Sequence, residues 1–160
     1  MTSKNDMLNS MTSKKLCNLN HIRGANQKKN MEKALKAKEC IFCPKNIAKY
    51  HTSPIERKGQ FWLITKNDYP YDGSELHYLF IYNQHIDSLS KIKPEAMTEL
   101  IGHLKWLEKK FKIKGGAVLI RFGDSDRTSA SITHLHGHFI VGGKRKKGKE
   151  SMMTSVGYKK

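Results

Sequence analysis

The segment His134-Leu135-His136-Gly137-His138-Phe139-Ile140 sets three histidines at strict alternation and runs into apolar residues. Successive side chains of a β-strand point to opposite faces, so residues at i, i+2 and i+4 share one face. The pattern predicts a strand that lines up His134, His136 and His138 on one side while Leu135 and Phe139 pack elsewhere. Imidazole suits nucleophilic, acid–base or metal-binding work near neutral pH. Three imidazoles on one face repel one another when protonated, so the cluster implies a bound anion or metal rather than a decorated surface strand.

Around this strand the chain reads as α+β. Residues 27–39 hold good helix formers (Met31, Ala34, Leu35, Ala37) and predict a short helix. Gln60–Thr65 and Leu76–Tyr82 read as strands, separated by the turn-rich Asn67-Asp68-Tyr69-Pro70-Tyr71-Asp72-Gly73. Pro94 opens a helix to about Lys112, with Met97, Leu100, Ile101, Leu104, Leu107 and Phe111 at helical spacing, until Gly115-Gly116 breaks it. Ala117–Arg121 gives a third strand and the histidine segment a fourth. Hairpins plus one long helix predict an antiparallel sheet with that helix packed on one face.

The 160 residues suffice for one domain with extensions. We expect a basic disordered tail at 1–26, a domain at 27–142 and a second basic disordered tail at 143–160. The formal charge of +16 divides accordingly: residues 1–39 and 143–160 carry net +6 each, and the whole middle only +4. Such tails either draw polyanions through counterion release, giving nonspecific nucleic-acid contact, or simply stay solvated. No stretch is apolar enough for a membrane helix, and the N-terminal residues lack a secretory apolar core, so the expectation is a cytoplasmic protein without membrane contact. A Cys40-Ile41-Phe42-Cys43 pair in a reducing compartment is more often metal-binding or redox-active than a structural disulfide, and no thioredoxin-like context follows it. Cys17 stands alone in the tail.

The alternating histidines closely match the His-φ-His-φ-His-φ-φ signature, and the chain resembles the histidine triad superfamily over about residues 40–142. Ser131, three residues ahead of the triplet, the Cys40–Cys43 knuckle, the Asn67–Tyr71 strand end and Tyr82-Asn83-Gln84-His85-Ile86 occur in the family's order. Gly137 at a φ position and Tyr82 in place of a proline depart from the pattern.

The resemblance implies a nucleotide hydrolase acting at the α-phosphate of a substituted nucleotide: a phosphoramidate, a dinucleoside polyphosphate or an adenylylated conjugate. A third histidine goes with hydrolases, whereas related transferases carry glutamine there. The middle imidazole is flanked on its own face by the other two, so His136 is the expected nucleophile, forming a nucleotidyl-imidazole. His138 and Ser131 are expected at the phosphate, although Ser131 reads equally well as a solvated serine. Asn67 and Asp68 are the candidates for the ribose. Zinc-containing relatives imply a structural zinc on Cys40, Cys43, His85 and His134; without zinc, His134 would orient His136 through a hydrogen bond. Relatives are often two-fold homodimers.

A nucleic-acid-binding module acting through its tails with little turnover is the alternative function. A hydrolase with all three histidines on a catalytic metal lacks a nearby acidic residue to complete its site. His77 reads as a satisfied core residue, His51 and His103 as surface, and Trp62 as core. Arg121 and Arg127 read as polyphosphate contacts or as solvated.

Overall fold

The structure, a computed structural model, describes residues 16–160; the part of the expected N-terminal tail at 1–15 lies outside them. Its elements are α1 (Ala25–Lys36), α2 (Ile47–Tyr50), β1 (Ile55–Lys58), β2 (Trp62–Lys66), β3 (Ser74–Tyr82), α3 (Pro94–Lys110), β4 (Ala117–Arg121), α4 (Ser125–Thr128) and β5 (His136–Gly142). The strands form one antiparallel sheet in the order β1-β2-β3-β5-β4. The histidine strand therefore lies inside the sheet, between β3 and β4. β1 has no counterpart in the sequence reading; Ile55-Glu56-Arg57-Lys58 is mostly charged and is recruited as an edge by pairing with β2.

The period-two alternation divides the sheet into two faces. Trp62, Ile64, Tyr78, Phe80, Tyr82, Leu135 and Phe139 join one apolar cluster with Ala96, Leu100 and Leu107 of α3. Leu63, Leu79 and Ile81 join the other, with Met31 and Ala34 of α1 and Ile41, Phe42 and Ile47. Both faces are covered, which goes beyond the expected single helix layer. Leu79 pairs with His138 and Ile81 with His136, so those histidines face α1 and the cysteine knuckle.

α3 starts with Pro94 in its first turn, where a missing N–H costs nothing. It buries Ala96, Leu100, His103 and Leu107, a narrower stripe than predicted: Met97, Ile101 and Phe111 lie on its exposed side. His103, expected at the surface, is buried because it continues this stripe. His51, also expected at the surface, is half-buried, with Nε2 2.8 Å from Thr65 Oγ1 and Nδ1 3.1 Å from the Asp68 carboxylate.

Both extensions touch the domain. Cys17, expected in the tail, is buried and bridges to Ile132, and Asn18 N–H donates to the Ser131 carbonyl at 2.7 Å. Beyond β5, Lys144–Lys149 are exposed, and the following segment returns to the domain through Met152, Thr154 and Ser155.

Gly137 explains its own departure from the family pattern. It pairs with Phe80, and a Cβ there would land on the Phe80 ring and 3.0 Å from Ile120 Cγ1. A large residue on β3 thus requires none on β5.

Candidate functional site

His136 lies at the start of β5 with its imidazole buried against Phe42, whose ring meets it edge-on at 4.9 Å. Its Nδ1 is 2.7 Å from the backbone carbonyl of His134. A carbonyl only accepts, so Nδ1 carries the proton and Nε2 keeps its lone pair. Burial, aided by the cations Arg121 and Arg23 and opposed by this hydrogen bond, pushes the His136 pKa down to about 4. At neutral pH it is an uncharged imidazole with one oriented basic nitrogen.

His138 follows by the same logic. Tyr71 N–H donates to His77 Nδ1 at 3.0 Å, so that nitrogen is the unprotonated one. His77 therefore carries its proton on Nε2 and donates it to His138 Nδ1, 2.9 Å away. The proton of neutral His138 is left on Nε2. Burial is the chief reason that both titrate low, His77 at about 4 and His138 well below the ordinary histidine range. The site thus offers a lone pair on His136 and an N–H donor on His138. His77 fits the expected core position but also orders the site. Nothing local in the sequence points to that role, which comes from its β3 register opposite Ile140, two positions from His138 along β5.

His134 turns its ring toward the two knuckle cysteines. Its Nε2–H donates to the Tyr82 carbonyl at 2.6 Å, which frees Nδ1. That nitrogen lies 3.4 Å from Cys40 Sγ and 3.7 Å from Cys43 Sγ, and His85 Nδ1 lies 3.5 Å from Cys43 Sγ. The four ligand atoms all fall within 4.8 Å of one another. A tetrahedral ion with bonds of about 2.3 Å to sulfur and 2.0–2.1 Å to nitrogen needs nitrogen–sulfur separations of about 3.5–3.6 Å. The two cysteines and two histidines fit such an ion, and His134 is braced from behind by Tyr82, as metal-ligating imidazoles usually are. Tyr82, where the family pattern has proline, also donates its N–H to the Leu135 carbonyl at 3.1 Å, a bond that proline lacks.

The remaining expected residues gather at one narrow cavity. Asn67, Asp68, Ser131, His136 and His138 all line it, with Gln27, Asn30 and Met31 of α1 as a further wall. Asn67 turns its amide nitrogen toward the His77 ring, while its Oδ1 accepts the Tyr69 N–H at 3.0 Å. The Asp68 carboxylate accepts the N–H groups of Thr52 and Ser53 at 2.7 and 2.9 Å. Both side chains are therefore committed within the protein as well as facing the cavity. The α1 wall lay outside the sequence reading, because Gln27, Asn30 and Met31 carry no motif. Arg121 is at a second, wider cavity beside His138, whereas Arg127 is exposed and 3.7 Å from Asp124.

Comparisons with known proteins identify the family and the fold. The family described as scavenger mRNA decapping enzyme C-term binding matches residues 39–154. Among curated proteins none matches the chain. A hypothetical protein from Leishmania major is 20% identical, with a TM-score of 0.54 over 74% of this chain and 86% of its own. A histidine triad nucleotide-binding protein from Candida albicans is 21% identical, with a TM-score of 0.53 over 71% of this chain and 87% of its own. A histidine triad protein from Clostridium difficile is 24% identical, with a TM-score of 0.51 over 69% and 96%. Among the described residues no helix is long and apolar enough to cross a membrane. From the cysteine knuckle through the histidine strand and into the returning C-terminal segment, this chain belongs to the scavenger mRNA decapping enzyme C-terminal binding family, within the histidine triad superfamily.

Proposed function

We propose that the protein is a nucleotide hydrolase that cleaves at the α-phosphate of a substituted nucleotide through a nucleotidyl-His136 intermediate. One observation carries this reading: the His134 carbonyl holds the proton of His136 on Nδ1 and leaves Nε2 basic beside the N–H of His138. A nucleophilic imidazole needs that tautomer, and an attacked phosphoryl group needs a donor at its oxygens. Membership in a family described by mRNA decapping, and a fold shared with a histidine triad nucleotide-binding protein, support a nucleotide as the substrate.

In this reading Nε2 of His136 attacks the α-phosphorus while His138 and Ser131 contact its oxygens. The nucleoside enters the narrow cavity beside Asn67 and Asp68. Cys40, Cys43, His85 and His134 hold a zinc ion. When bound, it would tie the chain next to His136 to the cysteine knuckle. The two ligands after the knuckle come from separate segments that meet at one end of the sheet, His85 from just beyond β3 and His134 from just before β5, which supports a bracing role.

The test is release of nucleoside monophosphate from a panel of adenylyl conjugates. His136→Ala is expected to lower it at least about 10³-fold, and acid-quenched wild type to carry a covalent nucleotidyl group that His136→Ala lacks. Full activity in His136→Ala sinks the assignment.

A further inference from the structure

The α3 side of the sheet carries a surface that the hydrolase reading leaves unused. His136 and His138 face α1, whereas Trp106 packs against the apolar cluster beneath α3. Arg57 on β1 pairs with Ile64, a member of that cluster, so its side chain rises on the α3 side. Its guanidinium lies 5.0 Å from the centre of the Trp106 ring. Lys110, one helical turn beyond Trp106, brings Nζ to 4.7 Å from that ring and 5.1 Å from the Phe111 ring. Lys66 shares the face, because it pairs with Tyr78, against whose ring Phe111 packs at 5.5 Å.

These cations are poorly balanced. Residues 105–114 hold five lysines and a single acid, Glu108. The carboxylates of Glu56 and Glu99 are already spent within the protein. Glu99 accepts three backbone N–H groups, and Glu56 accepts the Tyr78 hydroxyl and Lys110. Arg57 is half-buried, yet among the described residues its guanidinium is ion-paired with no carboxylate. Phe111 is 38% exposed although its ring is held in place by Tyr78 and Lys110.

We propose that Arg57, Lys66, Trp106, Lys110 and Phe111 form a docking face for single-stranded RNA. Cations interleaved with aromatic rings suit such a strand: phosphates meet Arg57, Lys66 and Lys110, and an unpaired base stacks on Phe111. An acidic peptide supplies the charge but no base to stack. A duplex keeps its bases stacked on one another and out of reach of the rings. The face lies across the sheet from the catalytic histidines, so a bound strand leaves both cavities open. It is also distinct from the Lys144–Lys149 run, which follows β5, a strand that β2 and β3 separate from β1.

The test uses the full chain and an oligouridylate of about 12 nucleotides, with binding read by fluorescence anisotropy and by tryptophan emission. Of the two tryptophans Trp62 is fully buried, so a change in emission on adding unlabelled RNA reports on Trp106. Wild type is expected to bind and to show that change. Arg57→Gln is expected to weaken binding at least about threefold and to flatten the slope of log affinity against log salt by about 0.7. Arg57→Lys keeps the charge and should keep the slope. Phe111→Ala is expected to weaken binding about fivefold or more with the slope unchanged. Replacing Lys144, Lys146, Lys147 and Lys149 by Gln should leave the Trp106 emission change at saturation intact. Absence of binding, no emission change at saturation, or wild-type affinity in both Arg57→Gln and Phe111→Ala overturns the proposal. Loss of the emission change in the lysine variant moves the RNA to the C-terminal run and overturns it too. An equal emission change with oligoglutamate of the same length assigns the face to acidic peptides instead. None of these readouts requires turnover, so they stand whether or not the hydrolase reading does.

Discussion

His77 Nε2 donates to His138 Nδ1 across 2.9 Å, and that single bond decides which nitrogen of His138 meets the substrate. The proton order runs from Tyr71 N–H through His77 to His138, and no other assignment of neutral imidazoles satisfies both bonds. His77 is thus a positioning residue that acts through His138. His77→Ala is expected to lower kcat about 10²-fold with little change in KM. His77→Gln, whose amide N–H can still reach toward His138, should recover part of the loss. Steady-state kinetics on both variants checks this, and equal losses would assign His77 to packing alone.

The Cys40, Cys43, His85 and His134 cluster gives a separate prediction. Elemental analysis is expected to find about one zinc per chain, and His85→Ala to weaken retention against a chelator at least about tenfold. Because His85 is exposed while Cys40 and His134 are buried, His85→Ala is the variant least disturbing to the core. Metal removal should lower the melting temperature of wild type more than that of His85→Ala. A folded wild type that carries no zinc after expression in zinc-supplemented medium refutes the site.

Much of this site was legible because its signals are local. Alternation alone predicts the His136–His138 face, and a two-residue gap sets Cys40 and Cys43 together. What stayed hidden depends on which segments meet. The Asn67–Tyr71 turn approaches His77 only through sheet register, and α1 reaches the narrow cavity only because the second sheet face needs a cover. His103 was misread for the same reason. The apolar spacing of α3 fits two overlapping stripes, and only contact with Trp62 and Phe80 selects the one containing Ala96, Leu100, His103 and Leu107. Arg23 carries no motif, and its stacking on Tyr71 becomes visible only once residues 16–24 fold back.

Gly137 provides a packing test. Phe80 occupies the space where a side chain would go, and Gly137 sits between His136 and His138. Gly137→Ala is expected to destabilise the fold by about 1–3 kcal/mol through overpacking, read from chemical denaturation. Phe80→Leu in the same chain removes the ring that clashes, so the double variant should be more stable than the sum of the two single changes predicts. Strict additivity would place the cost elsewhere.

The hairpin between β1 and β2 is fastened to α3 by one carboxylate, which makes it acid-sensitive. Glu99 accepts the N–H groups of Gln60, Phe61 and Trp62 at 2.9, 3.0 and 2.9 Å. Burial raises its pKa, but these three bonds and the neighbouring His103 outweigh burial and hold it below the ordinary glutamate value. The ionised form is therefore favoured by folding. Its contribution is complete above the unfolded pKa near 4.5 and is lost as pH falls through the lower folded value. Glu99→Gln retains one acceptor oxygen and should cost about 1–3 kcal/mol at pH 7. Its melting temperature should approach that of wild type as pH drops below about 4.5. Parallel curves for the two proteins down to pH 3 would show that Glu99 is not the group being titrated.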